Sequence, residues 1–140
     1  MIDLDNQTDI KIDIEFLELI AQSLTTKEIE LIICDNSYIQ ELNKTYRDKN
    51  IPTDVLSFPL VDSFIGLPLG SLIINIDKVQ EVALKLGHKN NEEIALLFIH
   101  GILHLLGYDH EIDSGEMRQK ERELIELFRL PNSLIIRSNG

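Results

Sequence analysis

Asn90-Asn91-Glu92-Glu93-Ile94-Ala95-Leu96-Leu97-Phe98-Ile99-His100-Gly101-Ile102-Leu103-His104-Leu105-Leu106-Gly107 reads as one helix. Asn90 opens it as an N-cap with the Glu93 carboxylate three residues on, and Gly107 ends it. From Ile94 onward ten residues are apolar, and they cover nearly every direction around the axis. Such a helix has no face to give to water, so it must run through the middle of the molecule. The rest of the chain has to wrap it.

Working outward, residues 10–24 carry Ile14, Leu17, Ile20, Ala21 and Leu24 at helical spacing, which predicts a first amphipathic helix. Glu28 to Cys34 alternates and then turns apolar, as a strand entering a core does. Asp35, Asn36 and Ser37 are turn and N-cap residues, and Ser37 to Tyr46 places Ile39, Leu42 and Tyr46 on one side of a second helix, Tyr46 being expected in the core. Pro52 and Pro59 bracket an extended segment, Thr53 to Phe58, because a proline disfavours helix in the residue before it. Val61 to Gly70 reads as a loop, and Ser71 to Ile76 as a buried or half-buried strand. Asp77 is the expected cap of a helix to about Leu86, stopped by Gly87. A last helix from about Ser114 to Leu130 offers Met117, Leu124, Ile125 and Leu127 as its apolar positions before Pro131. Helices and strands mix without a strict βαβ rhythm, so the class is α+β or a mixed α/β sandwich.

A chain of 140 residues, 44% hydrophobic and 26% charged, fits one domain spanning residues 1–140. It should bury roughly two thirds of the surface its unfolded form exposes. A metal is then not needed for stability, and any metal would be there for chemistry. The net charge of −11 argues against a broad electrostatic grip on nucleic acid or an anionic membrane. The excess is uneven. Residues 1–35 hold nine acids against two lysines, whereas residues 44–89 hold six basic residues against five acids, which favours the middle segment for docking an anionic substrate. The single cysteine, Cys34, ends an apolar run and reads as a small core hydrophobe in a reducing compartment. The N-terminus lacks a basic and apolar leader pattern, and the longest apolar run, Ile94 to Ile99, is far short of the roughly 20 residues needed to cross a bilayer. A cytoplasmic protein with no membrane contact is expected.

Three of the four histidines fall between residues 100 and 110. His100 and His104 are one helical turn apart, with Cβ atoms about 6 Å from each other, so both imidazoles project from one face. Two histidines on a buried face would otherwise need separate polar partners. Gly107 can adopt the left-handed conformation that reverses the chain and returns His110 to the same point. Three neutral imidazoles suit one zinc ion, with nickel or another divalent metal as the substitute, and three protein ligands leave a position for water, as catalytic zinc does.

Two known patterns share this spacing. The metzincin proteases read His-Glu-x-x-His-x-x-Gly-x-x-His, but their catalytic Glu is replaced here by Gly101, which counts against a peptidase. The fuller motif His-Gly-x-Leu-His-Leu-x-Gly-Tyr-Asp-His, His100 to His110, resembles the signature of the YbeY family of metal-dependent endoribonucleases. A second block, Leu42-Asn43-Lys44-Thr45-Tyr46-Arg47 followed by Pro52-Thr53-Asp54-Val55-Leu56-Ser57-Phe58-Pro59, is similar to that family's other stretch. With the Gly70 strand and Met117 to Glu121, the resemblance covers most of residues 40–125.

The resemblance implies a mixed four-stranded sheet flanked by helices, the metal ligands riding on the central buried helix. It implies a single-strand-specific endoribonuclease with zinc on His100, His104 and His110 and an essential arginine, Arg47. It implies action in ribosomal RNA processing, 16S 3′ end maturation and ribosome quality control included. RNA rather than DNA is the expected partner, with the small ribosomal subunit and an associated GTPase beside it. A guanidinium suits the role given to Arg47, since it pairs bidentately with a phosphate and stabilises the charge of a pentacovalent transition state. Water activated at the metal and the substrate's 2′-hydroxyl are both open as nucleophiles. Asp54, Ser57 and Asp109 are candidates for holding a ligand histidine or contacting RNA, with caps and turn formers as the alternative. Tyr46 could stack on a base instead of packing. One departure stands out: the family usually carries Asp after the glycine of the fourth strand, where this chain has Ser71. A non-catalytic, zinc-containing ribosome-assembly factor is the competing expectation.

Overall fold

Four segments become strands in the computed structural model, which describes residues 1–60 and 67–131. They are β1 (Ile2–Asn6), β2 (Ile29–Cys34), β3 (Val55–Pro59) and β4 (Gly70–Asn75). Their order across the sheet is β1-β2-β4-β3; β1 and β4 both run parallel to β2, and β3 is an antiparallel edge on β4. Parallel neighbours need crossovers, which α1 (Ile14–Gln22) supplies between β1 and β2 and α2 (Asn36–Arg47) begins between β2 and β4. Three more helices follow: α3 (Ile76–Leu86), α4 (Asn90–Leu105) and α5 (Glu116–Leu127). The class is α+β with a mixed four-stranded sheet.

The sheet is covered on both faces, which is why β2 and β4 read as nearly continuous apolar runs. Leu31, Ile33, Leu72 and Ile74 face the main core with Leu17 and Ile20 of α1, Val79 of α3 and Leu124 of α5. Cys34, Leu56 and Ile73 face the other way, onto Ile39 of α2. α4 is the centre of the main core: Ile94 to Ile99, Ile102 and Leu103 are all at most 1% exposed. Burying each of the isoleucine, leucine and phenylalanine side chains among them contributes about 1.5–3 kcal/mol relative to leaving it in water. The approach of α4 to β4 depends on Gly101, because a Cβ there would lie 2.6 Å from Leu72 Cδ2.

Several boundaries differ from the sequence reading, each for a local reason. β1 was not anticipated; Ile2 and Leu4 alternate with exposed Asp3 and Asp5, and the strand exists through its register with β2. α1 is shorter than residues 10–24, since Asp13 caps it by accepting from Phe16 N. Asn75, not Asp77, caps α3, its side-chain oxygen accepting from Asp77 N at 3.0 Å. α4 is capped one residue early: Lys89 N donates to Glu92 Oε1 at 2.8 Å. Glu93, the expected capping carboxylate, is instead buried, 3.5 Å from His88 Nδ1. α5 ends at Leu127, which is exposed rather than packed. The loop expected over residues 61–70 lies largely outside the described residues, and residues 67–69 carry no strand.

Candidate metal centre

The last turn of α4 sets His100 and His104 side by side, their ring centroids 4.7 Å apart. Gly107, at φ +99°, ends the helix, and Tyr108 N donates back to Leu103 O. That reversal returns His110 to the pair, with its ring 5.9 Å from each of the other two. One ring nitrogen from each of the three histidines falls within 4.8 Å of the others.

Hydrogen bonds fix what each nitrogen offers. His104 Nδ1 is 3.1 Å from Tyr108 O, and a carbonyl only accepts, so the proton sits on Nδ1. His100 Nδ1 is 3.1 Å from Glu121 Oε1, which places its proton toward the carboxylate. Both Nε2 atoms are then lone pairs, and they face each other at 3.1 Å. Two acceptors at that distance repel unless a cation lies between them. A tetrahedral zinc site with Zn–N bonds of about 2.0–2.1 Å holds its nitrogens about 3.3 Å apart, so the spacing fits. The Nδ1 of His110 is buried with no hydrogen-bond partner, a second sign that the cluster is built for a ligand. The basicity of His104 is lowered, first by burial and then by the neighbouring His100, which favours the neutral form, the one able to bind a metal.

Glu121 was not anticipated as part of this site. It comes from α5, is wholly buried, and leaves its second oxygen, Oε2, without a hydrogen-bond partner. The signal in the sequence is its place on the stripe Met117, Glu121, Leu124, where a lone carboxylate interrupts the buried face. A carboxylate on the far nitrogen of a ligating histidine fixes the ring and raises its donor strength.

His100 and His104 open into a cleft of about 460 Å³ that Arg47, Asp54, Ser57 and Asp109 also line. Arg47 reaches it from the last turn of α2: its Nη2 donates to Ser57 O at 2.7 Å, and its guanidinium carbon lies 5.1 Å from the centre of the Phe58 ring. Buried Asn43 steadies the chain beyond α2 by donating to Ile51 O. The Ser57 hydroxyl donates to Gly101 O, joining β3 to α4. Asp54 accepts from Val55 N, and Asp109 from Glu111 N in the turn that carries His110. Tyr46 is 65% exposed, so the expectation of a core residue fails; its ring meets that of Phe58 edge-on instead. Ser71 is not in the cleft. It lies on the opposite face of the sheet, directly across from Glu30, to which its hydroxyl donates at 3.1 Å. A carboxylate at position 71 would stand away from the histidines. The position of the metzincin Glu is Gly101, pressed against Leu72, with no room for a side chain.

The chain matches the family model for the endoribonuclease YbeY over residues 3–129. A Sulfurovum protein named endoribonuclease YbeY is 62% identical, over 99% of this chain and 98% of its own length. The protein of that name from Aliarcobacter butzleri is 60% identical, over 99% of this chain and 100% of its own. A solution structure of a Thermotoga maritima protein, 28% identical, superposes with a TM-score of 0.63 and covers 91% of this chain and 89% of that one.

Proposed function

The chain belongs to the endoribonuclease YbeY family, and on that premise we propose that it cuts single-stranded ribosomal RNA with the aid of a zinc ion held by His100, His104 and His110. In this reading residues 1–140 form one domain acting in the cytoplasm. Its work is the processing of ribosomal RNA, the 3′ end of 16S RNA included, and ribosome quality control, with the small subunit and a GTPase as partners. The observation that carries it is the pair of Nε2 lone pairs at 3.1 Å, with His110 beside them and Arg47 in the same cleft.

A divalent ion bound there supplies Lewis acidity at the scissile phosphate. The residues do the rest. Glu121 and Tyr108 O hold the protons of His100 and His104 on Nδ1, so that both Nε2 atoms stay available. Arg47, braced by Ser57 O and Phe58, keeps its remaining N–H donors for a phosphate and for the charge that grows on it during cleavage.

Cleavage of an end-labelled single-stranded RNA by the purified protein, beside His110→Ala prepared identically, tests this reading. Cutting by the wild type alone supports it. Equal behaviour of the two removes the support and favours an assembly factor that binds ribosomal precursors without turnover.

A further inference from the structure

An acidic protein that binds RNA has to find affinity somewhere other than in many phosphate contacts, because each neutralised phosphate needs its own cation. Tyr46 is where the structure offers it. The ring is 65% exposed, one residue before Arg47 in the last turn of α2. It meets Phe58 edge-on, with centroids 5.6 Å apart and planes at 65°, which fixes its direction and leaves a face open to water. The same Phe58 ring carries the guanidinium of Arg47. An exposed aromatic ring and a guanidinium are thus held on one support.

The strand beneath them explains the layout. Along β3, Ser57 and Pro59 line the histidine cleft, while Phe58 points to the other face and lines a groove of about 340 Å³ with Tyr46, Leu42 and Ile73. Because β3 is the edge of the sheet, Arg47 crosses that edge to bond Ser57 O. A strand of RNA passing over the edge would lay a phosphate at Arg47 and the adjoining base on the tyrosine. Only an unpaired base presents its face in that way.

We propose that Tyr46 is a stacking platform for the unpaired base beside the phosphate held by Arg47, and so a source of the site's preference for single strands. The inference rests on the ribonuclease reading above. Stacking of this kind needs an aromatic ring and is indifferent to the hydroxyl.

The test compares Tyr46→Ala, Tyr46→Leu and Tyr46→Phe with the wild type, all metal-loaded, on a short single-stranded oligoribonucleotide carrying one 2-aminopurine. Equal metal content and equal far-ultraviolet circular dichroism establish that each variant is folded. Stopped-flow fluorescence, read before cleavage, should show quenching by the wild type and Tyr46→Phe, and little with the other two. KM should rise roughly five- to a hundredfold in Tyr46→Ala and Tyr46→Leu, with a smaller change in kcat. A wild type that cuts RNA while all variants keep its KM overturns the stacking proposal and leaves the ribonuclease reading standing. Tyr46→Phe losing as much as Tyr46→Ala also overturns it, pointing to the hydroxyl. A wild type that neither binds nor cuts overturns both.

Discussion

Glu121 and His100, twenty-one residues apart on different helices, meet through Oε1 and Nδ1 at 3.1 Å, and the carboxylate is wholly buried. The orientation of the His100 ring is therefore set by α5 and not by α4 alone. Glu121→Gln keeps an oxygen that can accept from Nδ1–H but removes the charge. The expected result is a metal affinity about 10–100-fold weaker, in a protein that still folds. Competition with a zinc-chelating dye measures it, and an unchanged affinity would make Glu121 merely a packing residue.

Arg47→Ala should leave the metal content intact and reduce turnover about 10²–10³-fold, the effect of deleting one transition-state donor. Arg47→Lys should restore little, since an ammonium lacks the planar fork that pairs with a phosphate. Atomic absorption beside a cleavage assay separates the two effects; loss of zinc in Arg47→Ala would give Arg47 a structural role.

Gly101→Ala places a Cβ 2.6 Å from buried Leu72. Overpacking of this kind costs about 1–3 kcal/mol, and the better helix propensity of alanine returns up to about 1. A net loss of about 1–2 kcal/mol should appear as a lower Tm, and Leu72→Val in the same chain should recover part of it. No recovery would place the strain elsewhere.

Acid should destabilise the metal-free protein through His104. Its folded pKa lies below the unfolded value, so the unfolded chain takes up the proton first as pH falls through about 6.5. Stability present above that pH is progressively lost below it, and proton competition for the imidazoles should release bound metal over the same range. Melting curves of the metal-free protein between about pH 8 and pH 5 check the sign; a Tm that rises on acidification would contradict it.

Burial pushes the Cys34 thiol up to about 12. Thiolate is the reactive form, so the native protein should react very slowly with a disulfide reagent at about pH 8 and at once when unfolded. The raised value also makes alkali destabilising: the stability is fully present below the unfolded pKa near 8.5 and is lost as pH rises toward about 12.

How much of this was legible in the sequence depended on how far each feature reaches along the chain. The histidine cluster was readable because its spacing, one helical turn and then a glycine reversal, lies within a single short segment. Glu121 was not, since nothing in α5 says which carboxylate will face α4 until the two helices pack. Tyr46 has the right period for the core, yet periodicity does not say how far the packed core extends, and at the last turn of α2 the ring stays 65% exposed. Glu92 and Glu93 both suit a capping box; burial of the second decided the register by one residue. β1 was hidden by the aspartates that alternate with its apolar side chains, and it becomes a strand only when β2 lies beside it.

The order of elements along the chain bears on how this molecule is made. α4 is apolar around most of its circumference, and a segment of that kind invites aggregation whenever it waits uncovered. Among the described residues the four strands of the sheet lie between residues 2 and 75, whereas α4 starts at Asn90. During synthesis from the N-terminus, the sheet against which α4 comes to rest has therefore left the ribosome before the helix emerges.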